Sequence, residues 1–444
     1  MASNLLKTFE KIERGRQKCI AKANEADFPL PEDASLEKIA QCIDNQGHID
    51  TYINELKALI DNDFSRLRDA DTFRVPADIE TIAASALNNL NAKHIILPEN
   101  IVTIGDSSCK NWTNFEGDLI LPDTLTSIGN DAFYKIGYTN GCNKITVPNS
   151  VKRMGINPFE SNGAKIFNFD ADVTEIPQSL CEATSKDYAY LEEFNISDEL
   201  VNKITKIGGS AFRYQDKLKS LPNFPNATEI GSYAFAGCTL ENKFVIPSTW
   251  PAKLSLRLFN GTHFKGGLEI EEGDVTSTDE YVFTSALVNQ PRLIIPKTLR
   301  SFNSYSMSYL TGNHTFTANS KEWTGLERLD ILCDDIQLGY GMFDYAKIET
   351  VVIHASKFGY TNANGRYFQH SDYIKNLVLP NAPATPPFTN TIFYQGMPES
   401  IYVPDAYVAT YKAATSWKTA ASCIKALSTW PGYTDYLEEF GGAE

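Results

Sequence analysis

Apolar residues recur through most of the chain in one pattern at near-regular intervals. The run LPENIVTIGDSSC begins at Leu97, LPDTLTSIGNDAF at Leu121, VPNSVKRMGINPF at Val147 and IPKTLRSFNSYSM at Ile295; VPADIETIAASAL from Val75 fits the same frame. Each has an apolar residue followed by proline, apolar residues at positions five and eight, and an apolar or sulfur-containing residue at the close. The prolines follow short apolar triplets: Ile95-Ile96-Leu97, Leu119-Ile120-Leu121, Ile145-Thr146-Val147, Phe244-Val245-Ile246, Leu293-Ile294-Ile295, Leu377-Val378-Leu379 and Ile401-Tyr402-Val403. Their β-branched and apolar character suits a pleated strand. Because side chains alternate across a strand, the first and third residues share the inner face and the middle one points away. Proline lacks the N–H for the next ladder rung and ends the strand.

A polar turn comes next, then an apolar-glycine pair such as Ile104-Gly105, Ile128-Gly129, Ile207-Gly208 and Ile230-Gly231. Glycine at these positions is expected to take a positive φ and turn the chain into the next layer. Ala132-Phe133, Ala211-Phe212 and Ala234-Phe235 follow, with single anchors at Phe159, Phe259, Phe283, Phe343 and Phe393. The small residue permits close approach and the ring fills the layer between coils. Adjacent anchors lie about 22 to 26 residues apart, within the roughly 20–29 of leucine-rich repeats.

These units resemble the BspA-like leucine-rich repeat, which reads I-x-I-P-x-x-V-x-x-I-G-x-x-A-F, over about residues 73–427. The likeness weakens at 161–200 and 310–340, where longer loops or degenerate coils are expected. The stretch IYVPDAYVATYKAATSWKTAASCIKAL from Ile401 looks like the closing unit of that family: a last strand, then a helix whose Val408, Tyr411, Trp417 and Ile424 cover the open end. A solenoid needs such a cap because its final coil has no neighbour. The fold expected is α+β: a helical segment over 1–72, a repeat solenoid over 73–400, and a capping unit and tail over 401–444.

The first seventy residues differ. Leu5, Leu6, Phe9 and Ile12 recur at helical spacing, and Ser35 stands as an N-cap before Ile39 and Ile43. A third helix carries Ile49, Ile53, Leu56, Ile60, Phe64 and Leu67 in a heptad-like seam. Such a seam serves either a self-associating coiled coil, a trimer being favoured, or one face of a helix packed on its own domain. The opening N-L-L-K-T-x-x-K-I-x-x-G-R, Asn4 to Arg16, and L-E-K-I-A-x-x-I-D, Leu36 to Asp44, resemble the start of virion appendage proteins of tailed phages, including crAss-like phages. That resemblance implies folding in a host cytoplasm and release by lysis. The N-terminus has no apolar core of secretory type, in keeping with such a route.

Composition narrows the function further. The formal net charge is −15, which disfavours a nucleic-acid footprint. No run of about eighteen apolar residues suggests membrane insertion. The eight cysteines form no C-x-x-C pair and are read as reduced and mostly buried. The acidic Asp334-Asp335 and the run Glu269 to Asp274 lack the spacing of a calcium loop. No two histidines stand at i, i+4, and no nucleophile elbow or phosphate loop occurs. No catalytic residue, cofactor or metal site is therefore assigned.

Two surface candidates remain. The middle triplet residues Ile96, Ile120, Thr146, Val245, Ile294, Val378 and Tyr402 would form an outward strip, read either as β-propensity covered by flanking loops or as an exposed binding face. Tyr305, Tyr309, Asn313, Tyr340, Tyr345, Tyr360, Asn362, Asn364, Tyr367, Phe368 and Tyr373 populate the irregular coils, as loop anchors or as a platform for glycans and proteins. The expected function is a non-enzymatic virion structural protein, a head or tail fibre or appendage. Its N-terminal segment would join other virion proteins, and its repeats would adhere to a host surface protein or glycan. The alternative is a bacterial cell-surface adhesin lacking its signal peptide.

Overall fold

The computed structural model describes residues 71–75, 77, 79–311, 326–361, 365–388 and 392–441. The seam from Ile49 to Leu67 lies outside the described residues, as do Asn313, Asn362 and Asn364. Within them the chain is a β-solenoid of about 14 turns with few helices.

The apolar triplets are strands, and they stack in parallel. Asp118–Ile120, Cys142–Val147, Ala164–Phe169 and Glu193–Asn195 form one four-stranded sheet. Arg292–Ile295, Arg328–Ile331, Ile348–Ile353, Ile374–Val378, Ser400–Val403 and Ile424–Ala426 form a six-stranded one. Register brings like residues together: Leu119 meets Ile145, which meets Phe167, which meets Phe194, all buried. A second wall is built from two-residue strands, Thr81–Ile82, Thr103–Ile104, Ser127–Ile128 and Arg153–Met154. A third wall, Thr239–Leu240, His263–Phe264 and Leu287–Val288, appears in the middle coils. Parallel neighbours need a long crossover between them; here the crossover is the rest of the coil.

Aromatic anchors fill the space between walls. Phe212 stacks on Phe235 at 6.1 Å, Phe235 on Phe259 at 5.6 Å and Phe259 on Phe283 at 5.6 Å, all within 13° of parallel. Cys109 and Met307 take the same position in their coils and are equally buried. A soft sulfur-containing side chain fills the column where a ring is absent.

The glycines act differently from expectation. Gly129, Gly208 and Gly231 are not among the positive-φ residues. They permit contact instead: a Cβ on Gly129 would lie 2.5 Å from Asp106 N, and one on Gly231 would lie 2.3 Å from Gly209 N. The left-handed positions belong mostly to other residues, in pairs four apart that flank the anchor: Asp131 and Lys135, Ser210 and Tyr214, Tyr305 and Tyr309. Around Phe133 the reason is visible. Asp131, Phe133 and Lys135 each donate their N–H to the next coil, to the carbonyls of Ile156, Pro158 and Glu160, at 2.8–3.0 Å. The αL conformation costs about 1–2 kcal/mol per residue, and it keeps the turn's backbone groups inside the inter-coil ladder, where leaving them unpaired would cost a comparable amount.

The closing unit also differs from expectation. The expected single helix is short, Val408–Ala413, and is followed by the 3-10 turn Lys418–Ala420. Ile424 lies in a last strand paired with Ser400–Val403. Tyr411, Trp417 and Ile424 are nonetheless buried in the main core. A further helix, Tyr433–Phe440, was not anticipated.

Replacing Phe235 by Ala should destabilise the middle coils by about 3–5 kcal/mol. Trp250 stacks on this ring at 6.0 Å, so tryptophan fluorescence during urea unfolding should report an earlier local transition; an unchanged midpoint would contradict the continuous ring column.

Candidate binding surface

The middle residues of the triplet strands form a column on the outer wall. Ile120 is in register with Thr146, Thr146 with Asn168, and Asn168 with Asn195. Further along, Ile294 is in register with Asp330, and the column continues through Val352, Val378 and Tyr402 to Lys425. These positions fall into two groups. Ile96 is 37% exposed, Ile120 64% and Ile294 42%, while Thr146 and Val245 are half-buried. Val378 and Tyr402 are buried, at 0% and 5%.

In the first group the column is open. Asn168 donates from Nδ2 to Thr146 Oγ1 at 3.2 Å, and Asn195 donates to Asn168 Oδ1 at 2.9 Å. An amide ladder thus continues the column from the exposed Ile120. Each amide has hydrogen-bonding capacity beyond these contacts, so the wall offers both apolar surface and oriented donors and acceptors.

In the second group the chain covers its own column, and the strip expected to be outward includes two residues that are not. Val352, Val378 and Tyr402 form a cluster with Leu427, Trp430 and Tyr436, against which Tyr433 and Phe440 pack, separate from the main core. Beside it sits Asp330, fully buried. Its carboxylate accepts from Arg292 Nε at 2.5 Å and from Arg328 Nη2 at 2.8 Å, and His354 Nε2 lies 3.4 Å away. Arg292 also reaches Glu439 Oε1 at 2.8 Å. Burial acts to raise the Asp330 pKa, but hydrogen bonds from His354, Arg328 and Arg292 outweigh it and hold the carboxyl below its usual range. The stabilisation is therefore present above the ordinary carboxylate range and is lost as pH falls through the depressed value. The only signal in the sequence was the apolar spacing of Tyr433, Tyr436, Leu437 and Phe440 in a tail otherwise rich in Asp, Glu and Gly.

The tyrosine-rich coils do not make a free stacking platform. Tyr281 stacks on Tyr305 at 5.2 Å with the Arg257 guanidinium over its ring at 4.7 Å. Tyr309 stacks on Tyr345 at 5.0 Å, and Tyr345 on His370 at 4.3 Å. Tyr340 packs edge-on against Tyr305, and Tyr345 lies near Tyr373. Tyr367 and Phe368 are buried, and Tyr360 stacks with Tyr367 at 6.2 Å. Ring faces in this region pack against neighbouring coils, which supports the loop-anchor reading for most of these residues. Among the stacked rings Tyr309 and Tyr360 remain exposed.

The remaining polar groups are mostly neutralised. A groove of about 500 Å³ is lined by Ile156, Gly208, Gly231 and Lys206 where the sheet of Glu175–Ile176, Lys206–Ile207 and Glu229–Ile230 continues the second wall, and Lys206 bridges Glu175 and Glu229 at 3.5 and 3.8 Å. Glu269 pairs with Lys243, and Glu271 accepts from the Ser248 N–H. No group of three or more metal-ligating side chains occurs among the described residues. Cys109, Cys142, Cys181, Cys238 and Cys333 are buried and unpaired; Cys423 is unpaired and half-buried. Burial pushes the Cys109, Cys142 and Cys238 thiols up to about 12, so they stay neutral and poorly nucleophilic.

A profile described as the BspA type leucine-rich repeat region matches six copies in this chain, at residues 49–140, 106–242 and 205–323. A leucine-rich repeat protein from Bacteroides ovatus is 14% identical, over 81% of this chain and 75% of that one, with a TM-score of 0.37. The pneumococcal vaccine antigen PcpA is 16% identical over 70% and 87%, with a TM-score of 0.36. A leucine-rich cell surface protein from Faecalibacterium prausnitzii is 15% identical over 82% and 89%, with a TM-score of 0.35. No curated protein matches the chain.

One carboxyl on the turn edge should titrate near neutrality. Burial first, then the charges of Glu182 and Asp131, raise Glu160 from an ordinary 4.5 to about 7. The folded state then holds more protons than the unfolded one between these values, so stability falls as pH rises through that window and is level above it. Glu160→Gln should stabilise the protein by about 1 kcal/mol at pH 8, after allowance for solvent screening, and have no effect at pH 4. Equal effects in urea titrations at the two pH values would contradict the assignment.

Proposed function

The chain belongs to the BspA-type leucine-rich repeat family, and we propose that it is a non-catalytic adhesive protein that binds a host surface protein or glycan through the open part of its outer wall. The observation carrying this reading is the column of Ile120, Thr146, Asn168 and Asn195, open at Ile120 and Asn195 and half-buried between them, with Ile96 exposed at the same triplet position of the preceding coil. The regular apolar positions are buried in the core, and this column is not. A rigid stacked wall holds its side chains at a fixed spacing, near 4.8 Å between strands, so contacts to a partner are preorganised and little conformational entropy is lost on binding.

For the place of display, the support is the N-terminal motif. Asn4 to Arg16 and Leu36 to Asp44 support a virion appendage joined through that segment to other virion proteins, with the Ile49 to Leu67 seam forming a homo-oligomer, a trimer in the simplest case. The other reading is the surface of a bacterial cell, as the Faecalibacterium protein's description states for that protein.

Two experiments test these statements. Ile120→Lys combined with Asn168→Ala should reduce adhesion to host cells at least tenfold without changing the melting temperature, while Lys206→Ala on the second wall should leave adhesion intact. Equal adhesion of both variants would reject the outer wall. Mass spectrometry of purified particles should find the chain; its absence there and presence in a bacterial envelope fraction would move it to the cell surface.

A further inference from the structure

The outer wall of the last coils is already occupied, by residues that follow the last strand of the solenoid. The end of the main core is sealed by Tyr411, Trp417 and Ile424. Residues 427–440 come after that seal and turn sideways onto the wall. They bury Val352, Val378 and Tyr402 in a cluster of their own, on the column whose register runs back to the exposed Ile294.

The attachment is mostly side-chain contact: the apolar cluster, Arg328 over the Trp430 ring, Arg292 over that of Phe440, and Ser428 donating to Asp405 at the near end. The helix Tyr433–Phe440 has eight residues, no side-chain N-cap bond, and a glycine at each end. An isolated helix of this length is marginal in water, so its order depends on the wall. Tyr436 and Phe440, one turn apart, pack around His354 at 5.6 and 4.5 Å. Glu439 pairs with Arg292 at a site where both side chains are partly exposed, an interaction worth at most about 1 kcal/mol. The segment connecting this helix to the last strand includes Pro431 and Gly432.

Together these features describe a lid on a wall. We propose that residues 427–440 are a detachable strap that occupies the outer wall of the last coils in cis, and that its release exposes Val352, Val378 and Tyr402 as an extension of the binding column. This rests on the reading that the outer wall binds a partner. The strap also shows which chemistry the covered wall accepts: an aromatic pair spaced by one helical turn, with a carboxylate aimed at Arg292.

Accessibility in the full-length chain tests the strap without any external partner. In a Val378→Cys background, labelling of the introduced thiol by a maleimide, followed by peptide mass spectrometry, should be slow. Adding Tyr436→Ala and Phe440→Ala should speed it at least tenfold, and a synthetic peptide of residues 427–441 added in trans should restore protection. Glu439→Gln, a milder change, should give a smaller acceleration in the same direction. The melting temperature of the solenoid should not move in any of these variants. A thiol that stays protected when both aromatics are removed, or a melting transition that falls as one cooperative unit with them, would overturn the strap and make the segment part of the structural cap. Either result leaves the adhesion test on Ile120 and Asn168 independent, so failure of the strap and failure of the binding wall are distinguishable.

Discussion

The described coils depend on one constraint: each must lie against the next at the spacing of a parallel β ladder. Backbone N–H and C=O groups are paired between coils along the walls and also around the turns, as at Asp131, Phe133 and Lys135. Buried backbone groups left unpaired would each be costly, so the turn accepts two left-handed residues per coil to keep the ladder unbroken. The same spacing admits glycine alone at positions such as Gly129 and Gly231, where a Cβ would meet the preceding coil's backbone. It also places successive rings within 5.6–6.1 Å of one another from Phe212 to Phe283.

A solenoid built this way divides its residues sharply between scaffold and surface. Inward triplet residues, anchors and glycines are fixed by the ladder, and they recur because each coil faces the same requirement. Variation is tolerated where the coil faces outward. That is where the chain places its exposed isoleucines, its amide ladder and the tyrosine–arginine edge. On that edge the rings stack along the solenoid axis, which stiffens the turns and leaves few ring faces for a ligand. The outer wall is the better candidate because its side chains stand on a rigid sheet and have no coil above them.

The covered end of that wall carries a buried charge cluster. A buried Asp330 between two guanidiniums and an imidazole is weak evidence for stability, since desolvation offsets much of the attraction. Its geometric effect is clearer. It fixes Arg292 and Arg328 beside the apolar patch, where Arg328 lies over the Trp430 ring and Arg292 over that of Phe440. The pair thus guides the tail onto the column while most of the contact remains apolar.

The repeat, its strands, the proline stops and the buried anchors were legible in the sequence, because a periodic fold repeats its requirements and the period exposes them. Ile96, Ile120 and Ile294 were identifiable as outward by alternation alone. The tertiary structure decided what periodicity cannot encode. Glycine at Ile-Gly serves contact between coils rather than a turn, a distinction that depends on where the neighbouring backbone lies. Ile424 became a strand because the preceding strand offered a free edge. Val378 and Tyr402, alike in pattern to Ile120, are buried because a tail outside the repeat folds back on them. A local pattern states which way a side chain points; only the three-dimensional path of distant residues determines what meets it there.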